Sequence, residues 1–254
     1  FTQSSNTSTT SENAGTASYT IVLDAEPTSD VVIDLASNDT AQATVSPNSL
    51  TFTPANWNTP QTVTVTGVDD DLVQTDTAVI TASINDAASA DEYDAVADQT
   101  HTVTLTDDDS ASIVIDPSGI TTTGLTILEN AGTGSFNVQL GSQPLTDVVI
   151  NLSSSNTAEA TVSPSSLTFN NGNWNVNQTI TVTAVNDDVD RDDSATLTIS
   201  VNDAASDDTY DSVPDATASI IITDDDIADF TQSSNTSTTS ENAGTASYTI
   251  VLDA

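Results

Sequence analysis

Acidic residues are the side chains of this sequence whose type and spacing could support chemistry, and they gather where predicted strands end. In the first half of the chain these residues are Glu12, Asp39, Asp69, Asp70, Asp71, Asp76, Asp107, Asp108 and Asp109. Consecutive strands of a β-sandwich run antiparallel, so alternate loops lie at the same end of the domain. We therefore expect these carboxylates to meet in one small region.

A region crowded with carboxylates needs a counter-charge. Two carboxylates about 4 Å apart repel each other by roughly 4 kcal/mol at an effective dielectric constant near 20. The chain has 38 Asp and Glu residues against one Lys or Arg, which is Arg191, so side-chain cations cannot offset this repulsion. Calcium accepts several oxygen ligands in a flexible geometry, whereas magnesium requires a stricter octahedron. We predict calcium ions, with magnesium as the weaker candidate; the alternative is a solvated acidic surface.

The composition excludes several classes of function. A formal net charge of −37 excludes binding to nucleic acid or to an anionic membrane surface. The sequence has no Cys and a single His, so thiolate chemistry and histidine metal clusters are absent, and no apolar run is long enough for membrane insertion. Paired carboxylates could serve a glycosidase, but there is no cleft-sized insertion and no second type of catalytic group, so we predict no enzyme.

Apolar residues alternate with Thr and Ser in short runs, which predicts β-strands with one buried face. In one such run Tyr19, Ile21 and Leu23 point to the same side. About seven strands per unit predict an all-β protein, built from tandem immunoglobulin-like antiparallel β-sandwich domains in a linear array, with no convincing helix. His101 lies between Thr residues and is predicted to face solvent.

The sequence repeats itself on two scales. Residues 1–25 recur letter for letter as residues 230–254. Between them lies a more diverged repeat, in which Glu12-Asn13-Ala14-Gly15 matches Glu129-Asn130-Ala131-Gly132. Two equivalent units and the opening of a third therefore follow one another along the chain.

These repeats predict three sections of chain. Residues 1–109 form a first sandwich whose first strand is truncated, residues 110–226 form a second, and residues 227–254 begin a third. The third section is too short to enclose a core of its own, so it is either incomplete or pairs with another chain. In the second case, strand addition to another copy would give a head-to-tail filament.

Several motifs together resemble those of Calx-beta domains. They are Ser11-Glu12-Asn13-Ala14-Gly15-Thr16, Asp30-Val31-Val32-Ile33, Ser49-Leu50-Thr51-Phe52, Val68-Asp69-Asp70-Asp71 and Thr102-Val103-Thr104-Leu105-Thr106-Asp107-Asp108-Asp109. The resemblance covers nearly the whole of both units. The Calx-beta family includes the calcium-binding modules of sodium–calcium exchangers and long tandem repeats in bacterial surface proteins and adhesins.

The resemblance implies which residues hold calcium. In the first unit the family's ligand positions fall on Glu12, Asp39, Asp69, Asp70, Asp107, Asp108 and Asp109. In the second unit they fall on Glu129, Asp187, Asp188, Asp224, Asp225 and Asp226. The position that matches Asp39 is Asn156, which is a neutral ligand at best. Further candidates are Asp71, Asp76, Asp190, Asp193 and Glu241, the last of which repeats Glu12.

The function that we expect is mechanical. No Gly/Ser linker separates Asp109 from the next predicted strand at Ile113, so calcium at this end would hold successive domains in one orientation. The resemblance implies a bacterial extracellular or cell-surface location. We expect a calcium-rigidified structural segment of a long adhesin stalk, filament or matrix fibre, whose partners are neighbouring repeats and other copies in a filament. The alternative is an adhesion module that binds a glycan or a protein through a loop or through Trp57.

Overall fold

The computed structural model describes residues 1–117, 120–130 and 132–253. The chain divides into two units, Phe1–Ser110 and Ala111–Ala254. In the described part of the chain, no helix has the length and hydropathy needed to cross a membrane.

Unit 1 is a sandwich of two β-sheets. Its strands are β1 (Thr2–Gln3), β2 (Thr7–Ser11), β3 (Thr16–Val22), β4 (Val31–Ser37), β5 (Ala43–Ser46), β6 (Ser49–Phe52), β7 (Gln61–Gly67), β8 (Asp76–Ile84) and β9 (Gln99–Thr106). One sheet has the order β1-β3-β7-β5 and the other the order β2-β9-β8-β4-β6. Two 3-10 turns, Asp86–Ala88 and Asp91–Tyr93, lie between β8 and β9.

Unit 2 repeats this plan. Its strands are β10 (Ile113–Asp116), β11 (Leu125–Leu128), β12 (Thr133–Leu140), β13 (Val148–Ser154), β14 (Ala160–Ser163), β15 (Ser166–Phe169), β16 (Gln178–Ala184), β17 (Asp193–Val201), β18 (Ala216–Thr223), β19 (Asp229–Gln232) and β20 (Ile250–Asp253). Two sheets have the orders β10-β12-β16-β14 and β11-β18-β17-β13-β15, and β19 pairs with β20 in a separate sheet. A short helix, α1 (Ile120–Thr123), and two 3-10 turns, Asp203–Ala205 and Asp208–Tyr210, complete the unit.

Alternating side chains form the core of each unit. In β3, Tyr19 and Ile21 are buried, whereas Ser18 is exposed. In β12, Phe136 and Val138 are buried in the same way. Thr and Ser occupy many of the outward positions, where a β-branched side chain suits the exposed face of a strand. The prediction of an all-β, immunoglobulin-like sandwich is confirmed.

The strand pairing differs from the prediction in three respects. Each sandwich combines a four-stranded and a five-stranded sheet, which is more than about seven strands. Strand β2 lies parallel to β9, and β11 lies parallel to β18, so these sheets are not purely antiparallel. The helix α1 was not expected; it lies between β10 and β11, a connection longer than the matching one between β1 and β2.

His101 is buried, so the prediction that it faces solvent is wrong. Its ring stacks on Tyr19 with the ring centroids 3.9 Å apart. The two ring nitrogens contact Ser8 Oγ at 2.8 Å and the carbonyl oxygen of Ser5 at 3.0 Å. The neighbouring Thr residues misled the prediction, because His101 shares its face of β9 with the buried Val103.

Candidate metal centre

The direction of the strands brings the acidic segments of unit 1 to one end of the sandwich. Glu12 directly follows β2, and Asp107 directly follows β9. Because these two strands are parallel, both residues leave the sheet at the same end. Asp76 begins β8 opposite Leu105, near the end of β9, and therefore lies at this end as well.

Gly67 allows the end of β7 to approach Glu12 closely. A Cβ atom at this position would clash with the carbonyl oxygen of Ser11 and would lie 2.9 Å from the Cα atom of Glu12. The chain continues from Gly67 into the segment that begins with Asp69. A third acidic segment thereby reaches the same end of the sandwich.

Among the described residues of unit 1, triplets of carboxylates form around Glu12. In each triplet, one oxygen atom of every residue lies within 4.8 Å of the others. The triplets are Glu12–Asp69–Asp108, Glu12–Asp70–Asp76 and Glu12–Asp107–Asp109. Glu12 belongs to all of them and is therefore the centre of the cluster.

The carboxylate of Glu12 lies inside the protein, since 0% of the residue is exposed. Its Oε1 atom accepts a hydrogen bond from the backbone N–H of Asp108 at 3.2 Å. Within the described structure its Oε2 atom has no hydrogen-bond partner, and neither does the buried Oδ2 atom of Asp109. Burying a polar oxygen without a partner costs free energy, so these two atoms are free to bind a cation.

Burial and mutual repulsion raise the pKa values of these acids. Burial raises the pKa of Glu12 to about 7; the nearby Asp107 and Asp70 act in the same direction, against a backbone hydrogen bond. Burial also raises the pKa of Asp109 and of Asp76, and neighbouring charges add to the effect. A divalent cation would reverse this balance, because an opposite charge favours the ionised form.

Unit 2 builds a related cluster around the buried Glu129. Its Oε1 atom accepts a hydrogen bond from the backbone N–H of Asp187 at 2.5 Å, and its Oε2 atom has no partner in the described part of the chain. Glu129–Asp187–Asp226 and Glu159–Asp187–Asp193 are triplets with oxygens within 4.8 Å of one another. The hydrogen bond from Asp187 lowers the pKa of Glu129, but burial and nearby carboxylates raise it above its usual value overall.

Some of the predicted ligands lie outside these triplets. They are Asp39, Asp71, Asp188, Asp190, Asp224, Asp225 and Glu241. Five of them still affect the clusters through their negative charge, which adds to burial in raising the pKa of Asp76, Asp109 or Asp226. These five are Asp39, Asp71, Asp188, Asp224 and Asp225. The Oδ2 atom of Asp190 instead accepts a hydrogen bond from the backbone N–H of Ala228 at 2.8 Å. Glu241 is exposed.

Glu159 is a candidate ligand that the sequence patterns did not identify. It matches Gln42 of unit 1, whose Nε2 atom donates a hydrogen bond to Asp70 Oδ2 at 3.3 Å. The signal was visible only on aligning the two units: where Asp39 is replaced by Asn156, an acid appears at residue 159.

Arg191 pairs with one carboxylate of the acidic cluster of unit 2. Its Nη2 atom lies 2.9 Å from Asp193 Oδ1, while 62% of its side chain is exposed. An exposed ion pair of this kind contributes little to stability. It engages one oxygen of Asp193, and the Oδ2 atom of the same carboxylate is buried without a hydrogen-bond partner in the described structure.

The donor set fits a hard divalent cation. Every member of the triplets offers carboxylate oxygens, which calcium prefers, whereas zinc sites favour nitrogen and sulfur ligands. Buried oxygens without hydrogen-bond partners occur, among the described residues, at both cluster centres and at their neighbours. They belong to Glu12, Asp109, Glu129, Asp193 and Asp226.

The tryptophans lie against the cores. Trp57 packs on the core of unit 1 and Trp174 on that of unit 2. Their carbonyl oxygens accept hydrogen bonds from the backbone N–H groups of Leu23 at 3.1 Å and Leu140 at 2.8 Å. Both residues are therefore part of the packing of their units.

Comparison with known proteins returns distant structural similarities. No family model matches the sequence, and no curated protein matches it significantly. The calcium binding domain CBD12 of CALX1.1 is 16% identical over 85% of this chain and 96% of its own, with a TM-score of 0.35. The apo-form Calx CBD1 domain is 19% identical over 46% of this chain and 100% of its own, with a TM-score of 0.34. Domains 1–6 of the surface layer protein SbsC are 16% identical over 87% of this chain and 28% of that protein, with a TM-score of 0.37.

Calx domains are thus among the similar structures. The TM-scores lie below 0.5, so the sandwich architecture is taken from the strand pairing of this chain itself. The candidate metal centre likewise rests on the distances and the burial of its own carboxylates.

Proposed function

We propose that this chain is a calcium-stiffened structural segment of a long extracellular surface protein, such as an adhesin stalk, filament or matrix fibre. The proposal is carried by the buried Oε2 atom of Glu12, which lies without a hydrogen-bond partner inside a carboxylate cluster of the described chain. Glu129 repeats this arrangement in unit 2. Because the only Lys or Arg is Arg191, unit 1 has no Lys or Arg side chain that could take the place of a metal ion.

The ligands of the proposed sites follow from the triplets. In unit 1 they are Glu12, Asp69, Asp70, Asp76, Asp107, Asp108 and Asp109. In unit 2 they are Glu129, Glu159, Asp187, Asp193 and Asp226. Calcium suits these sets because it takes many oxygen ligands in variable geometry, and extracellular modules bind it with dissociation constants of about 10⁻⁴–10⁻³ M.

Calcium would stiffen the chain because it would draw separate segments together. The triplets of unit 1 combine Glu12 after β2, the segment between β7 and β8, and the segment after β9. The last of these contains Asp109 and leads into Ala111, the first residue of unit 2. A cation bound to Asp109 would restrict the final residues of unit 1 and thereby the start of the neighbouring repeat.

Calcium titration with thermal unfolding tests the metal. A free calcium concentration about 100 times the dissociation constant is expected to add about 2.7 kcal/mol to the free energy of unfolding of each unit. Magnesium at the same concentration serves as the control and should add less. Equal unfolding temperatures with calcium and with chelator would contradict the proposal.

Small-angle scattering tests the mechanical part. We expect the chain with calcium to have a defined maximum dimension and the chelated chain to sample a broader range of dimensions. Scattering curves that superimpose with and without chelator would leave calcium binding intact but remove the stiffening role. Antibody labelling of intact cells of the source organism tests the extracellular location separately.

The adhesion-module alternative has less support. It was predicted to act through a loop or through Trp57, and Trp57 packs against the core of unit 1. A packed tryptophan contributes to folding and offers less surface for stacking against a sugar ring than an exposed one. Retention of a glycan from an array by this chain, and its loss on Trp57→Phe, would restore the alternative.

A further inference from the structure

Two segments of identical sequence lie in opposite surroundings. Residues 1–25, the resident segment, belong to the sandwich of unit 1, and residues 230–254, the donor segment, carry the same sequence. Leu23 is 2% exposed, whereas its counterpart Leu252 is 83% exposed. The same change affects the pairs Phe1 and Phe230, Tyr19 and Tyr248, and Ile21 and Ile250. The donor segment therefore presents to solvent the apolar side chains that the resident segment buries.

The two ends of the donor segment already pair with each other as the ends of the resident segment do. Thr231 lies opposite Val251 in β19 and β20, which is the register of the equivalent residues in β1 and β3. The tight turns also agree, since φ is 52° at both Ala14 and Ala243. A segment that is partly preorganised in this way loses less conformational entropy when it docks than an unpaired chain would.

Two parts of the donor segment differ, and they identify the missing neighbours: residues 236–240 match β2, and residues 245–249, which match Thr16–Thr20 of β3, are likewise not in a strand. Thr7–Ser11 of the resident segment forms β2 by pairing in parallel with β9. In the described structure, residues 236–240 have the same sequence and are not in a strand. Tyr19 stacks on His101 of β9, whereas its counterpart Tyr248 is exposed. The surface that would complete the donor segment is thus that of β9 and β7, within residues 26–110.

We propose that the donor segment docks on residues 26–110 of a second copy of this chain and displaces the resident segment there. The two segments have identical sequences, so each contact that is lost is replaced by the same contact. The equilibrium between the two docked states then depends on two concentrations. One is the concentration of chains, and the other is the effective concentration of the resident segment, which its short covalent tether sets. Each exchange releases another segment of the same sequence, and the contact is heterologous, so chains join head to tail.

Docking would also give Glu241 a role that it lacks in the single chain. Glu241 is exposed, and it has the position in the donor segment that Glu12 has in the resident segment. In the docked state it would enter the carboxylate cluster of the second copy. Strand exchange itself needs no calcium, so it is independent of the proposed function.

The test traps the exchange with a disulfide. Thr20 lies opposite Thr62 in β3 and β7, and Thr249 is the counterpart of Thr20 in the donor segment. The 254-residue chain carrying Thr62→Cys and Thr249→Cys has no other cysteine. After unfolding and refolding at high protein concentration in chelator, mild oxidation is expected to give disulfide-linked dimers and longer ladders on a non-reducing gel. Chains with either cysteine alone measure the background.

A matched pair of variants separates docking from random collision. Ile250→Asp in the two-cysteine chain should abolish the ladder, because the counterpart Ile21 is fully buried. Ser247→Asp should preserve it, because the counterpart Ser18 is exposed. The proposal is overturned if the disulfide forms only within single chains, if the ladder does not exceed background, or if both variants cross-link equally. None of these outcomes affects the calcium proposal, since calcium is absent from the experiment.

Discussion

The acidic clusters of the two units differ in the position of one charge. The turn after β4 carries Asp39 and then Gln42, whereas the equivalent turn after β13 carries Asn156 and then Glu159. Both turns are built alike, because the Oδ1 atoms of Asp39 and Asn156 accept a hydrogen bond from a following backbone N–H at 3.0 Å and 3.1 Å. The exchange of Asp for Asn keeps the turn, since both side chains provide this acceptor. The charge reappears at Glu159, inside a triplet.

The clusters also differ in how the central glutamate is held. The Oε1 atom of Glu12 accepts from Asp108 N, in the segment after β9, whereas that of Glu129 accepts from Asp187 N, in the segment after β16. Gly67 approaches Glu12 in unit 1, and Ala184 occupies the equivalent position in unit 2. The comparison shows that a cluster of this kind can keep its central acid while its supporting residues change, which suits a cation with flexible coordination.

The tryptophans allow the two clusters to be measured separately. The chain has two, Trp57 in unit 1 and Trp174 in unit 2. A Trp174→Phe chain reports the unfolding of unit 1 by fluorescence, and a Trp57→Phe chain reports that of unit 2. Unfolding of unit 1 variants is therefore measured in the Trp174→Phe chain, and unfolding of unit 2 variants in the Trp57→Phe chain.

We expect the largest difference between the units in their pH dependence without calcium. Burial raises the pKa of Glu12 from 4.5 to about 7, so between these values the folded state of unit 1 binds more protons than the unfolded state. The free energy of unfolding of unit 1 should therefore be highest at the acidic end of this window and fall as the pH rises through it. In unit 2 the hydrogen bond from Asp187 is the largest influence on the pKa of Glu129 and opposes its rise, whereas burial is the largest influence at Glu12, so the fall should be smaller. Unfolding in chelator from pH 5 to pH 8 measures both slopes, and a slope unchanged by Glu12→Gln would contradict the assignment.

The next largest effect should come from neutralising the central glutamates in the presence of calcium. Because Glu12 belongs to every triplet of the described part of unit 1, Glu12→Gln should weaken calcium binding there about 100-fold, or about 2.8 kcal/mol. Glu129→Gln should cost unit 2 less, about tenfold. Calorimetric titration checks both, with the exposed Glu26→Gln as a control that should leave both affinities unchanged. A weaker effect in unit 1 than in unit 2 would overturn the comparison.

A smaller effect is expected from the close approach of β7 to Glu12. Gly67→Ala should lower the free energy of unfolding of unit 1 by about 2 kcal/mol, because the new Cβ atom would collide with the backbone at Ser11. The reciprocal change Ala184→Gly should cost unit 2 only about 1 kcal/mol, from added flexibility of the unfolded chain. Denaturant unfolding measures both variants. Equal losses of unfolding free energy would show that the end of β7 is no more closely packed than the end of β16.

The smallest expected effect concerns Glu159, the carboxylate that unit 2 has where unit 1 has Gln42. Glu159→Gln should weaken calcium binding to unit 2 about tenfold, or about 1.4 kcal/mol. Gln42→Glu in unit 1 should strengthen calcium binding slightly, since it adds a carboxylate beside Asp70. Titration of each variant decides the matter: if Glu159→Gln leaves the affinity of unit 2 unchanged, Glu159 is not a ligand.

The sheets were largely predictable, because side chains alternate strictly in a strand. Tyr19 and Ile21 in β3, like Val63 and Val65 in β7, are buried as their spacing requires. The same rule, applied to His101 and Val103, would also have placed the histidine inside. The parallel pairing of β2 with β9 was not predictable, since no local pattern records which distant strand becomes a neighbour.

The candidate site was predictable in outline. The acidic segments that meet around Glu12 were identified from their place at strand ends, and they do come together. The complete burial of Glu12 was not foreseen, because an acid at a strand end is normally expected to reach water. Asp190 stays a prediction: it lies outside the triplets, and its Oδ2 atom accepts a hydrogen bond from the backbone of Ala228.

By itself, the sequence determined which side chains line the cores and that its acidic segments, opposed by a single arginine, gather at strand ends. Only the tertiary structure decided which carboxylates share a triplet and which of their oxygens have no hydrogen-bond partner among the described residues. The reason is physical: alternation is a property of one strand, whereas the surroundings of Glu12 are formed by β7, β8 and β9, which lie far from it along the chain.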